Sequence, residues 1–206
     1  MGRVPSPQFA GLQADVGGSV GDVASNSEMD DTGDVFAVRA IIDSLGIALL
    51  AVDELAIADL PFIRWAGSPS HLRSVAKQLA RVSAGEVEYL AVRAPSGRPI
   101  AKGGVDYAVE DGAGMIWQLA THERLRNLGI GTLLVGELER RIERRGCRFA
   151  MLSVDQANPR SQRLYERLGY RVAGERRSGW ESTRADGSTG WYEAKLTDLR
   201  KESPAS

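Results

Sequence analysis

Cysteine is nearly absent from this chain of 206 residues: Cys147 stands alone. A single thiol excludes an internal disulfide framework and leaves too few sulfurs for a cysteine-built zinc site, so no metal is expected. It also points to a reducing compartment, and a cytoplasmic setting is the expectation. Long apolar runs are missing as well. The most apolar stretch, Val35 to Val52, is broken by Arg39 and Asp43, which leaves it short of the roughly 20 apolar residues that span a bilayer. The N-terminus begins with one arginine followed by glycine, serine and acids, without the basic and then apolar order of a targeting segment.

A large excess of charge of one sign is also lacking. The formal net charge is −1, but it is unevenly spread: Asp15, Asp22, Glu28, Asp30, Asp31 and Asp34 face only Arg3 in the first 34 residues, which gives 1 − 6 = −5 there and −1 − (−5) = +4 in the remainder. That mild positive excess suits a phosphate-bearing ligand. It falls short of the concentrated basic surface of a nucleic-acid binder, and its charges are interspersed.

What is present is enough for one domain of ordinary size, with 43% hydrophobic residues. Residues 1–34 have no sustained periodicity and are expected to form a disordered acidic tail. Residues 35–46 are left as a linker. From Ile47 the pattern sharpens into a strand, Ile47 to Val52, and Asp59-Leu-Pro61 then reads as a helix start with a capping acid and an early proline. A second helix starts at Ser68-Pro69, with Leu72, Val75, Ala76, Leu79 and Val82 at helical spacing and Gly85 as its stop. Glu86 to Ala94, Ile100 to Val109 and Met115 to Thr121 read as three strands separated by Pro95-Ser96-Gly97 and Asp111-Gly112.

Ile130, Leu134, Leu138 and Ile142 recur every four residues, so Gly129 to Arg145 is expected to be an amphipathic helix with Gly146 as terminator. Phe149 to Val154 has the character of a strand covered on both faces. Asn158-Pro159 caps a short helix ended by Gly169, and Tyr170 opens a hairpin that turns at Ala185-Asp186-Gly187 and returns through Trp191 to Leu196. The domain is thus placed at residues 47–198, followed by a C-terminal tail at 199–206. The order is strand, two helices, three strands, helix, strand, helix and two strands.

The segment Arg126-Asn127-Leu128-Gly129-Ile130-Gly131-Thr132 lies between a strand and the long helix. Its glycines let the backbone approach a ligand, and a helix N-terminus offers unpaired N–H groups and positive dipole to an anion such as a pyrophosphate. On the loop alone, glycines that merely make the turn explain it equally well. Two rival phosphate motifs fail by residue type. A nucleoside-triphosphate loop needs Lys where Gly131 precedes Thr132, and the dinucleotide fingerprint needs a third glycine where Leu134 stands.

Arg126, Gly129 and Gly131 resemble the acetyl-CoA loop of the GNAT superfamily of N-acetyltransferases, which reads Gln or Arg, two residues, Gly, one residue, then Gly or Ala. The run from Asn158 through Tyr165 to Tyr170 resembles that family's second motif. Asn127 stands where Gly is frequent, and Glu123 where proline is common. Asn tolerates positive φ better than most residues, so the turn is still feasible. The resemblance implies an α/β (α+β) fold with a mixed, mostly antiparallel central sheet flanked by helices, and acetyl-CoA as acyl donor.

By that resemblance, backbone groups of Leu119, Ala120 and Thr121 bind the pantetheine arm, and N–H groups of Arg126, Asn127, Leu128, Gly129, Ile130, Gly131 and Thr132 hold the pyrophosphate. Asn158 contacts the cofactor arm, although capping its helix is a sufficient role. Tyr165 serves the departing sulfur; its helical position, one residue off the Leu164 and Leu168 face, leaves it free to enter a cleft.

The implied reaction is direct attack of a primary amine on the thioester in a ternary complex, with no acyl-enzyme. Glu86, Glu88, Asp106, Glu110, His122 and Glu123 border the expected cleft, and none is singled out as the base. Trp117, Gln118, Trp191 and Tyr192 could line an acceptor pocket, one member of each adjacent pair to a face. The partners expected are acetyl-CoA and an amine of a small molecule or protein, with no nucleic acid or membrane, in a monomer or homodimer. A non-catalytic acyl-CoA-binding module and transfer of a longer acyl group are the competing readings.

Overall fold

In the computed structural model, residues 32–183 and 188–203 are described. Strands β1 (Val52–Glu54), β2 (Val87–Arg93), β3 (Pro99–Asp106), β4 (Ala113–Thr121), β5 (Phe149–Asp155), β6 (Arg171–Thr183) and β7 (Thr189–Glu202) form one sheet in the order β1-β2-β3-β4-β5-β7-β6. Every pairing is antiparallel except β4 with β5. The helices are α1 (Thr32–Leu45), α2 (Pro69–Val82), α3 (Ile130–Arg144) and α4 (Pro159–Arg167).

The sheet has a core on each face. On one side α3 and α1 cover it through Val35, Val38, Leu134, Leu138 and Ile142, which pack on Leu90, Val92, Val105 and Ile116. On the other side α2 and a 3-10 segment (Ile57–Ala66) pack Ile63, Val75 and Leu79 on Val87, Tyr89 and Trp117. Burying both faces removes enough apolar surface to offset the ordering of the chain. α2 starts as its sequence dictates, with Pro69 in the first turn and the Ser68 hydroxyl accepting from the His71 N–H at 3.3 Å.

Four local expectations are corrected. Residues left as a linker form most of α1, whose Val35 and Val38 are buried, so tertiary contact supplies what propensity did not announce. Ile47–Leu49 is a 3-10 turn, and the strand begins only at Val52. Asp59 does not open an α-helix: it accepts from the Ala56 N–H at 2.8 Å and holds Arg93 through both oxygens at 3.0 Å, which ties the 3-10 segment to β2. Finally, β7 runs to Glu202, pairing with Phe149, so residues 199–202 belong to the sheet and not to a tail. The expected turn at Ala185-Asp186-Gly187 lies outside the described residues.

Two irregularities shape the site. β4 and β5 pair only from Ala113 with Phe149 to Met115 with Met151. Past that point they separate, and β5 keeps only β7 as neighbour, from Leu152 with Leu199 to Asp155 with Leu196. In β4, Lys102 faces Ala120 and Gly104 faces Trp117, so two residues of β4 oppose one of β3. That β-bulge is centred on Gln118, whose φ of 50° is in the left-handed region.

Candidate acyl-transfer site

Where β4 and β5 separate, an open cleft lies between Trp117, Gln118 and Leu119 on one wall and Ser153, Val154 and Tyr165 on the other. A separated strand edge exposes backbone N–H and C=O groups to whatever enters, the property needed to bind an extended chain like an added strand. Leu119, Ala120 and Thr121 lie on this edge. Leu119 is wedged over Gly103, where a Cβ would come within 2.5 Å of its side chain.

The Arg126–Thr132 segment lies at the end of the same edge. Asn127 (φ 66°) and Gly129 (φ 85°) both take the left-handed conformation, so the departure of Asn127 from glycine is accommodated. No side chain caps α3, and its first backbone bond runs from the Leu133 N–H to the Gly129 carbonyl at 3.0 Å. The N–H groups of the preceding turn are therefore available to an anion. A Cβ on Gly131 would meet only the Thr121 hydroxyl, at 3.5 Å, so the backbone there can be approached closely. Arg126 turns back to the Thr121 carbonyl at 3.4 Å, and Arg160 of α4 donates to the Asn127 side-chain oxygen. These features fit a pyrophosphate.

Asn158 and Tyr165 meet at the opposite wall. Asn158 does cap α4, its side-chain oxygen accepting from the Ser161 N–H at 3.1 Å. Capping occupies the oxygen and leaves the amide NH₂ with donors to spare. Tyr165 is buried and packs edge-on against Tyr170 at 5.9 Å. Its hydroxyl has no hydrogen-bond partner among the described residues and borders the cleft. Burial pushes its pKa up to about 12, so it stays protonated at neutral pH.

The acids considered as bases are largely engaged elsewhere. Asp106 is buried and takes Arg81 at 2.5 and 3.2 Å, Glu86 takes the same guanidinium at 2.9 Å, and Glu88 accepts from Arg141 and Tyr107, each at 3.0 Å. Glu110 and Glu123 are exposed, and His122 is buried edge-on against Trp65 at 5.4 Å. Cys147 is half-buried, and its pKa is raised by burial, which suits a structural thiol.

Strand alternation holds for one aromatic pair and fails for the other. Tyr192 reaches Asp155, donating to it at 2.9 Å, and Trp191 lies against Gly179, both rings staying exposed. Trp117 and Gln118 instead share the α2 face, because the bulge cancels one step of the pleat: Trp117 packs on Tyr89 at 5.3 Å and Gln118 accepts from the Tyr89 hydroxyl at 2.9 Å. The groups around that bulge, Lys102, His71, Ser74 and Tyr89, were not singled out from sequence. Their one signal is a lysine inside a strand that is otherwise apolar or glycine up to its last residue, Asp106.

A separated β4–β5 pair, a bulge at its mouth and an uncapped helix N-terminus together make a cleft that suits an extended ligand with an anionic end. The sequence profile of the acetyltransferase (GNAT) family matches residues 56–170, more than half of the 206 residues, and the chain belongs to that family. No relative is found among curated protein sequences. Among solved structures, the ribosomal-protein-S18-alanine N-acetyltransferase of Escherichia coli is similar at TM-score 0.59 and 19% identity, over 77% of this chain and 96% of that one. The spermidine N-acetyltransferase of Vibrio cholerae, in complex with CoA and spermine, is similar at TM-score 0.57 and 13% identity, over 76% and 96%. At such identities the likeness is one of fold. Among the described residues no helix is long and apolar enough to cross a membrane.

Proposed function

We propose that the protein transfers an acetyl group from acetyl-CoA to a primary amine, by direct attack within a ternary complex. The observation that carries this reading is the placement of the Tyr165 hydroxyl, protonated and without a hydrogen-bond partner among the described residues, in the cleft beside Asn158 and across from the Leu119–Thr121 edge. A non-catalytic binding module has no need of such a donor.

In this reading the Leu119–Thr121 backbone and the Asn158 amide hold the pantetheine arm, and the N–H groups from Arg126 to Thr132 hold the pyrophosphate. Acetyl-CoA supplies an activated thioester carbonyl. Tyr165 donates a hydrogen bond to the sulfur as negative charge gathers there. Full transfer of its proton is not favoured: from about 12 to a thiol near 8.5 is uphill by on the order of 5 kcal/mol. The tyrosine therefore acts by hydrogen bonding, and solvent protonates the thiolate. The incoming amine must be neutral, and deprotonating a lysine-like amine at pH 7 costs roughly 4.6 kcal/mol, which a water chain to a base would lower. The two similar enzymes named above act on a protein alanine and on spermidine by their names, and both acceptor classes are carried into the test.

The test is calorimetric titration with acetyl-CoA, followed by thiol release across polyamines, small amines and N-terminal peptides. Binding with acceptor-dependent release is the expected result, and Tyr165→Phe should then lower kcat about 10- to 100-fold with Kd for acetyl-CoA unchanged. A folded protein that binds no acetyl-CoA would overturn the reading.

A further inference from the structure

Lys102 lies in a strand whose eight residues are all buried, and is itself fully buried. No carboxylate among the described residues pairs with it. An ammonium withdrawn from water is costly unless each of its donors is met. Here all three are met by neutral groups: His71 Nε2 at 2.7 Å, Tyr89 Oη at 3.1 Å and the Gln118 carbonyl oxygen at 2.9 Å. Tyr89 in turn donates to the Gln118 side-chain oxygen at 2.9 Å, and the Gln118 amide donates to Ser74 at 3.0 Å. Three polar atoms of one residue are thus pinned from β2, β3 and α2. That residue is the centre of the bulge, at φ 50°, a conformation a side-chain-bearing residue keeps only when its surroundings over-determine it.

Peptide planarity gives the pinning a direction. No cis peptide is present among the described residues, and a trans peptide carries its C=O and N–H on opposite sides. β4 lies between β3 and the cleft. Holding the Gln118 carbonyl to the Lys102 ammonium, which lies on the α2 face with His71 and Tyr89, therefore fixes the opposite direction for the N–H of Leu119, a residue that lines the cleft.

We propose that Lys102 is a positioning residue for acyl transfer, which locks the Gln118–Leu119 peptide and with it the Leu119 N–H at the cleft. Its catalytic consequence rests on the transferase reading above; its geometry does not. Burial pulls Lys102 down to about 7, and burial together with the Lys102 charge pulls His71 down to about 3. His71 is accordingly a neutral acceptor, and Lys102 can hold the peptide as an ammonium below neutrality with a charge-assisted bond.

The experiment compares wild-type protein with Lys102→Met by thermal melting, acetyl-CoA calorimetry and thiol release with the acceptor found above. The expected variant is folded, binds acetyl-CoA within about fivefold of wild type and loses about 100-fold in kcat. A folded variant with kcat within about threefold overturns the inference while leaving the transferase reading intact. Wild-type protein that binds no acetyl-CoA overturns both. Should the variant fail to fold, the wild-type Leu119 amide nitrogen decides: its resonance should shift with a midpoint matching the titration of the Lys102 Nζ. A Leu119 resonance that stays flat while Lys102 titrates overturns the inference without any activity measurement.

Discussion

The Arg160 guanidinium of α4 donates to the Asn127 side-chain oxygen, so a cation from one wall of the cleft stands against the loop that opens α3 on the other. The contact is exposed, and exposed polar contacts add little to stability. Its value is electrostatic, beside N–H groups aimed at an anion. Arg160→Ala should weaken acetyl-CoA binding about tenfold with little change in melting temperature, and the salt dependence of Kd should become shallower. Calorimetry at two ionic strengths checks both statements.

Gly129 carries the left-handed turn that starts α3. At φ 85° an L side chain is strained, and a Cβ there would also press the Ile47 side chain at 3.1 Å. Gly129→Ala should cost about 1 to 2 kcal/mol in urea unfolding and raise KM for acetyl-CoA more than it lowers kcat, because the N–H groups shift before the reacting centre does. Asn127→Gly, at φ 66°, should be tolerated without loss of stability. Equal effects of the two substitutions would mean that the turn does not depend on backbone freedom at Gly129.

The starts of α3 and α4 were legible because glycine, asparagine and proline act locally. Gly129 and Asn127 fix the turn, Asn158-Pro159 fixes the start of α4, and Ile130, Leu134, Leu138 and Ile142 fix the buried face of α3. The surroundings of the bulge were not legible. Whether Trp117 and Gln118 point apart or together depends on a bulge, which carries no composition of its own. The burial of Lys102 depends on α2 closing over β3, a contact between residues 31 apart in the chain. α1 was missed for a similar reason, since Val35 and Val38 are recognisable as core only once the surface they cover exists.

Asp106 illustrates how a candidate base can turn out to be structural. It is buried, takes two bonds from Arg81, and also accepts from the Ala108 N–H at 2.9 Å. Asp106→Asn leaves Arg81 with Glu86 alone and should cost about 2 kcal/mol, reduced from the value for a wholly buried pair because Arg81 is about one third exposed. Turnover well below the melting temperature should stay within twofold of wild type. A large fall in kcat with unchanged stability would instead place Asp106 in the chemistry.

Lys102 also predicts how stability follows pH. Its folded pKa is depressed by burial from the usual 10.5 to about 7. Between those values the unfolded chain holds a proton that the folded chain has released, so stability rises with pH across this window, and falls as pH drops toward 7. The slope from one such group is at most about 1.4 kcal/mol per pH unit. Cys147, Tyr89, Tyr107, Tyr165 and Tyr170 are all raised by burial and act in the opposite sense at the alkaline end. The informative quantity is therefore the difference between wild type and Lys102→Met, measured by urea unfolding at several values from about pH 7 to 9.5. The variant, freed of a buried ammonium, should be the more stable protein near pH 7, with the gap closing as pH rises. That pattern, together with a slower enzyme, would mean that Lys102 is retained at the expense of stability for the peptide it holds. Parallel stability curves would mean that burial does not displace its proton.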